Sequence, residues 1–565
     1  MRRAIAIGLA LAAVVVPADR SAGAGTAESR GAPPKNASPH APPTRIPHGI
    51  RLDTRVGEGL RLLADEDVPG ARAVLEPLLA AQPDDASARL AAGILRFFEQ
   101  RYAEAEDLIS SSGLADPAGY LALAKAAREV TKDDARFEGE HFVIVHPKGK
   151  DEVLVPYVLD ALERQRAALG RELGFAPDEK LTVEIVSDVK DLAKLSTLTE
   201  QEIRTSGTVA VCKFGKLMLL SPKALLRGYD WLDTAAHEYT HHVLTRKSKN
   251  RAPIWLQEGL AKWFEESWRG AREPVSPVSA ALVRDAVEQN RLVTFEEMHP
   301  SLAKLPSQER ATLAYAQVAL AVEYLVQQKG PAVLPRILDL LADGEPTEQA
   351  VSDALGAPFP RFLAEWRRYM ASRPLPRGGE HALKHLHFRD DPKSAGSYAE
   401  WAAIPDERAR GYARLGELFR ARGRWTAARI EYGKAVQRVG ARVAILSNQY
   451  ALAAMMSGAT GDAERVLGEA LDWNPDSAAL HVRLARILVD RKDFAGAREH
   501  LLAANRQDPF DPEIHAGLAK ALEGLGDPGG ASREARFTQI LAGGEPGAPP
   551  EGHPAPSAGH ERTTP

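Results

Sequence analysis

The sequence predicts an α+β domain flanked on both sides by all-α helical repeats. Three observations predict it. Strand-like alternation is confined to residues 137–220, a helix with a His-Glu-x-x-His pattern follows it, and small and large residues recur every 34 or 35 positions on either side. At 565 residues the chain is too long for one core and should divide into several domains. Charged residues make up 26% and the net charge is -4, so nothing in the charge balance points to nucleic acid or to an anionic membrane surface.

The first element is a targeting segment. Met1-Arg2-Arg3 precedes an apolar run over 4–16, and Ala22-Gly23-Ala24 supplies a small-x-small cleavage pattern. Residues 1–24 therefore read as a secretory signal, because thirteen apolar residues are too few to span a bilayer. No later stretch has the length of a transmembrane helix. The expectation is an exported protein, periplasmic or secreted. Residues 25–50, rich in Ala, Pro and Ser, read as a disordered linker.

Two helical hairpins are expected over 51–135. Gly59, Ala71, Leu75 and Leu78, closed by Pro83, are matched 34 residues later by Gly93, Ala105 and Ile109. Small residues at fixed intervals let paired helices approach closely, which is tetratricopeptide-like packing. The pattern changes at 136. FEGEHFVIVH (137–146) reads as one strand, 153–173 as an amphipathic helix ended by Gly174, and LTVEIVS (181–187) as a second strand. A short helix around Asp191 follows, then a hairpin turning at Phe214-Gly215. A small antiparallel sheet leading into a helix from Trp231 is the α+β arrangement these elements suggest. Cys212, on the hairpin, is the only cysteine, so no intramolecular disulfide is possible and it reads as a small strand hydrophobe. Helices at 280–289, 313–328, 333–341 and 359–369 complete the domain at 374, and a Pro/Gly/basic linker covers 375–405.

Over 406–540 the repeat is strong. Leu415, Gly416, Ala428 and Tyr432 begin a series continued by Tyr450, Ala451, Ala463 and Leu467, then by Leu484, Ala485, Ala497 and Leu501, and last by Leu518 and Ala519. Such units bury their apolar faces only by stacking, so four in series predict a superhelix with a concave, protein-binding face. Residues 541–565 form a Pro/Gly-rich disordered tail.

The chemistry lies in WLDTAAHEYTHHVL and the segment after it. His237 and His241 stand four apart, just over one helical turn, so both rings leave the same face and can take two corners of a zinc tetrahedron. Glu238 lies beside them, able to take a proton from a metal-bound water. Glu258 comes 17 residues after His241 on a second helix opened by Pro253, with a loop expected over 245–252. Two histidines and a glutamate leave the fourth corner for water, as a catalytic zinc needs. His242 points off the metal face and reads as packing or a surface hydrogen bond, and the basic run Arg246 to Arg251 as a solvated turn.

From 137 to 373 these motifs resemble gluzincin metallopeptidases of the peptidase MA clan, and in particular the peptidase MA-like domains found beside tetratricopeptide repeats. The resemblance is carried by EHFVIVH, TVEIV, GTVAV…KLMLLSP, HEYTHHVL, PIWLQEGLA, LAYAQVALAVEYLVQQKG and ALGAPFPRFLAEWRRYM. It implies a zincin-like fold, one zinc per chain held by His237, His241 and Glu258, and Glu238 as general base. Tyr315, in LAYAQ, stands where such domains carry a tyrosine and is either an oxyanion partner or a packed helix residue. The sequence departs at Lys262, where thermolysin-type enzymes place an aspartate, leaving Glu265 as the candidate to support a ligand histidine. The hairpin is assigned by the same resemblance to the strands above the cleft, where it is either a plain structural hairpin or an edge to which an extended peptide adds as a strand. The reading is an exported zinc endopeptidase with protein-binding repeats and a peptide or protein substrate. The alternative is a non-catalytic envelope scaffold or chaperone-like protein with a vestigial zinc domain.

Overall fold

The computed structural model describes residues 53–116, 118–273, 275–299, 301–372, 386–390, 401 and 404–543. The signal segment, the linker after it, and most of the second linker and of the tail lie outside the described residues. The chain divides into two compact units, 1–394 and 395–565.

The first unit opens with two helical hairpins, α1 (Thr54–Ala64) with α2 (Val68–Ala81) and α3 (Ala86–Phe98) with α4 (Tyr102–Ser112). Their spacing has a direct steric cause. A Cβ on Gly59 would sit 2.4 Å from the Leu75 side chain, and one on Gly93 would sit 2.6 Å from Ile109, so each hairpin closes only around glycine. A fifth helix, α5 (Tyr120–Thr131), which the repeat spacing did not announce, continues this layer.

The sheet differs from the expected antiparallel one. The stretch read as one strand is two, β1 (Ala135–Glu138) and β2 (Phe142–His146), turned back on each other around Gly139. β3 (Leu181–Val186) then pairs parallel to β2, and β5 (Lys216–Leu220) parallel to β3. The reason is connectivity. The long helix α6 (Val155–Leu173) carries the chain across the sheet between β2 and β3, and a crossover of that length returns the next strand in the same direction. Only β1 and β4 (Ala210–Lys213) run antiparallel to their neighbours, giving the order β1-β2-β3-β5-β4 with β4 at one edge. Between β3 and β4 lie α7 (Val189–Leu195) and α8 (Glu200–Ser206), the latter opened by a capping box of Thr199 and Glu202 that the pattern reading missed.

The hairpin layer and the sheet share one interior. The β4–β5 turn at Phe214 and Gly215 inserts among Phe97, Phe98 and Tyr120, with ring centroids 5.2–6.1 Å apart. Lys216, fully buried on β5, donates to Glu184 Oε2 of β3 (2.5 Å) and to the Tyr102 hydroxyl of α4 (2.8 Å). Tyr102 in turn donates to the other Glu184 oxygen. A buried charge is tolerated only when paired and hydrogen-bonded, and here three elements supply the partners.

Past the sheet come α9 (Trp231–Ser248), α10 (Ile254–Phe264), α11 (Pro277–Glu288), α12 (Gln308–Lys329), α13 (Val333–Ala342), α14 (Thr347–Leu355) and α15 (Phe359–Ser372). Gln165 of α6, fully buried, donates to Thr240 Oγ1 of α9 and to the Phe264 carbonyl of α10, fixing three helices at one point. Gly259 lets α10 lie against α12, since a Cβ there would be 2.7 Å from the Val318 carbonyl oxygen. Among the described residues no helix is long and apolar enough to cross a membrane.

In the second unit, helices from Glu407–Ala421 to Pro528–Leu541 stack as pairs around buried Ala451, Leu467, Leu480 and Tyr432. The repeat extends to polar contacts. His481 and His515 stand 34 apart, and their Nε2 atoms bond the carbonyls of Pro475 (2.8 Å) and Pro509 (2.9 Å) respectively.

Candidate metal centre

α9 begins at Asp230, whose side chain accepts from the Asp233 amide. Asp233 is itself held by the Trp268 indole (2.7 Å) and the Arg269 guanidinium (2.9 Å), which fixes the start of α9 to the turn after α10. His237 and His241 leave one face of this helix, as their spacing predicts, with Nε2 atoms 3.2 Å apart. Glu258, on α10, brings Oε2 to 3.3 Å from His241 Nε2 and 3.5 Å from His237 Nε2. These are three donor atoms at the corners of a nearly equilateral triangle. A tetrahedral zinc with bonds of about 2.0–2.1 Å requires edges of about 3.4 Å. Glu258 Oε2 is moreover buried with no hydrogen-bond partner, a costly state for a carboxylate unless a cation completes it.

The charges of the three groups depend on one another. Burial works against ionising Glu258, but His241 and His237 outweigh it and lower its pKa to about 2. Burial likewise opposes an imidazolium at His237, yet Glu258 and Glu265 raise it to about 9.

Glu238 sits on the adjacent face and, with the two histidines, brings one ligand-type atom within 4.8 Å of theirs. Its Oε2 accepts the Cys212 backbone amide at 2.7 Å. The Leu220 amide bonds the Val209 carbonyl, so in this antiparallel register the backbone groups of Ala210 and Cys212 turn outward from β5. The free edge of β4 thus faces the helix that carries the histidines. Tyr315, on α12, lies edge-on to His237 with ring centroids 6.2 Å apart. Burial first, then the carboxylates of Glu258, Glu238 and Glu265, push its hydroxyl well above the ordinary tyrosine value.

Residues 164–372 match the Peptidase MA superfamily, and residues 56–113 and 454–521 match tetratricopeptide repeats. The chain carries a Peptidase MA superfamily domain joined to tetratricopeptide repeats. No match was found among curated proteins. Among solved structures, native yeast LTA4 hydrolase is 12% identical over 72% of this chain and 67% of its own, with a TM-score of 0.28. MamA protein is 17% identical over 24% of this chain and 73% of its own, at 0.22. Cut9-Hcn1 of the APC/C is 14% identical over 87% and 81%, also at 0.22. At such scores these likenesses carry no argument.

The Peptidase MA domain resolves the departure at Lys262. Glu265, the C-cap of α10 three residues after Lys262, accepts at Oε2 from His237 Nδ1 (3.2 Å), and Lys262 pairs with its other oxygen. Burial opposes the charge on Glu265, but Lys262 and His237 prevail and hold it below the usual carboxylate range. The lysine therefore anchors the carboxylate that orients the histidine. The basic run is not the solvated turn its composition suggests. α9 continues through Ser248, so Arg246 and Lys247 are helical, pairing with Asp67 (2.9 Å) and Asp339 (2.6 Å). His242 is buried rather than on the surface, with Nδ1 3.2 Å from Glu66 Oε2.

Proposed function

We propose that this chain is an exported zinc metallopeptidase that cleaves within peptide chains and recruits protein partners through its repeats. The observation that carries the reading is the triangle of His237 Nε2, His241 Nε2 and Glu258 Oε2, with that Glu258 oxygen otherwise unpartnered. The donor set fits zinc, which takes imidazole nitrogen and carboxylate oxygen in tetrahedral sites. When bound, zinc supplies Lewis acidity that makes water acidic and polarises the carbonyl under attack.

The remaining chemistry belongs to the chain's own residues. Glu238 accepts the proton of the attacking water and returns it to the leaving amine nitrogen. Tyr315 donates from its hydroxyl to the oxyanion as negative charge develops. An extended substrate pairs with the outward groups of Ala210 and Cys212 by strand addition, largely independent of side chains. In doing so it competes with Glu238 for the Cys212 amide, releasing the carboxylate as the substrate arrives. The position of β4 at the edge of the sheet supports cleavage within a chain.

The test is metal analysis of the mature protein together with cleavage of casein, with and without chelator. Zinc should be present, His237→Ala should lose the zinc of this site, and the chelator should stop cleavage. Zinc without cleavage would instead favour the scaffold reading, and a site that holds no metal in wild-type protein would refute the assignment.

Two further results are expected at this site. Glu265→Gln should weaken zinc binding by about 10–100-fold, because it removes the charge that orients His237 and raises its basicity. Chelator competition measures this, and an unchanged affinity would reduce Glu265 to packing. The second result concerns pH. With the His237 pKa near 9 in the metal-free protein, a metal taking its Nε2 must displace a proton at neutral pH. Apparent affinity should therefore rise about tenfold per unit from pH 6.5 towards 9 and then level off. The sign for stability is opposite. A pKa raised on folding stabilises the metal-free fold fully below pH 6.5, and this contribution is lost as pH passes through 9. A metal affinity flat across that window would contradict the assignment of the proton to His237.

A further inference from the structure

A second cluster of ligating groups lies on the neighbouring ridge of α9. Glu66, Cys212 and His242 come from the α1–α2 turn, the edge strand β4 and the helix, and one donor atom from each lies within 4.8 Å of the others. His242 Nδ1 and Glu66 Oε2 are already at 3.2 Å, the length of one edge of a metal tetrahedron. The Cys212 sulfur, within 4.8 Å of a ligand atom of each partner, separates this cluster from an ordinary buried ion pair. His242 is only 2% exposed. Glu66 takes a left-handed backbone (φ 56°), as Gln100 does at the same point of the next hairpin (φ 57°). The turn is kept in that conformation by its neighbours, since Arg246 pairs with Asp67 and the Asn250 side chain donates to the Ala64 carbonyl.

We propose that Glu66, Cys212 and His242 form a second zinc site, distinct from the His237, His241 and Glu258 triangle. The donor chemistry selects the ion. A thiolate with an imidazole and one carboxylate suits borderline-soft zinc, whereas calcium and magnesium prefer oxygen alone. Zinc binding here displaces the Cys212 thiol proton to solvent, and the resulting sulfur anion and the Glu66 carboxylate balance the two positive charges of the ion. The edges needed are about 3.3–3.8 Å, and ligand atoms all within 4.8 Å of one another reach them by small side-chain movements. The site joins the N-terminal hairpins to the strand whose Cys212 amide holds Glu238, so the ion braces β4 against α9.

The experiment uses the mature full-length chain, with zinc counted and then replaced by cobalt(II). Because Cys212 is the only cysteine, a thiolate-to-cobalt charge-transfer band in the near ultraviolet can arise only from this site. The expected result is two zinc ions per chain, falling to one in Cys212→Ser and in Glu66→Gln. His237→Ala should also retain one, and should keep the thiolate band that Cys212→Ser loses. Failure of the first site and failure of the second are therefore distinguishable. The proposal is overturned if cobalt-loaded wild-type protein shows no thiolate band. It is equally overturned if zinc content is the same in wild type, Cys212→Ser and Glu66→Gln. The wild-type spectrum decides even if a variant fails to fold.

Discussion

Glu238→Gln should keep its zinc and its fold and lose cleavage of an unfolded protein by about 10²–10⁴-fold, the usual contribution of a positioned general base. The amide is nearly isosteric with the carboxylate and its oxygen can still accept the Cys212 amide, which Glu238 holds at 2.7 Å. Strand β4 should therefore stay in place, and the loss should report the missing proton acceptor alone. The measurement is kcat/KM on casein beside metal content and a thermal melt of the same preparation. Wild-type turnover in the variant would remove Glu238 from the mechanism. A loss of zinc together with activity would mean that the residue acts on the site's structure and not as the base.

Lys216→Ala should be the most damaging change away from the metal. Its ammonium is fully buried, 2.5 Å from Glu184 Oε2 and 2.8 Å from the Tyr102 hydroxyl, and 5.1 Å from the centroid of the Tyr102 ring. Removing one partner of a buried pair leaves the other charge uncompensated, which costs about 3–5 kcal/mol. Urea unfolding of the first unit should show this loss. Replacing both Lys216 and Glu184 with apolar residues of similar size should recover most of it, since what destabilises is the orphaned charge and not the absence of the bridge. A loss below about 1 kcal/mol in Lys216→Ala would mean that water reaches the pair.

Both predictions depend on contacts of different origin, and so did their visibility in the sequence. Glu238 was legible because HExxH is a local pattern on one helix. Glu258 was legible because PIWLQEGLA resembles a known segment and the 17-residue spacing allows a second helix. The hairpin repeats were legible for the same kind of reason. A glycine and a large residue 16 apart, repeated after 34, encode a close helix pair wherever the pattern sits. The role of Glu265 was suggested only by elimination, because Lys262 replaced the expected aspartate. That Lys262 serves as its anchor follows from side-chain direction on α10, which spacing alone does not fix.

The sequence by itself determined the helices that carry the histidines and Glu258, the tetratricopeptide hairpins, and the placing of strands within 137–220. Each depends on residues a few positions apart, where the 3.6 and 2.0 periods and turn chemistry act directly. Tertiary structure decided the direction of β3 and β5, the burial of Lys216 between Glu184 and Tyr102, and the meeting of Glu66 with His242 across 176 positions. Such pairings are set by how α6 carries the chain over the sheet and by how the first hairpin docks on α9. No local spacing records a closure of that length, and many alternative partners of the same chemistry compete for it until the packed core selects one.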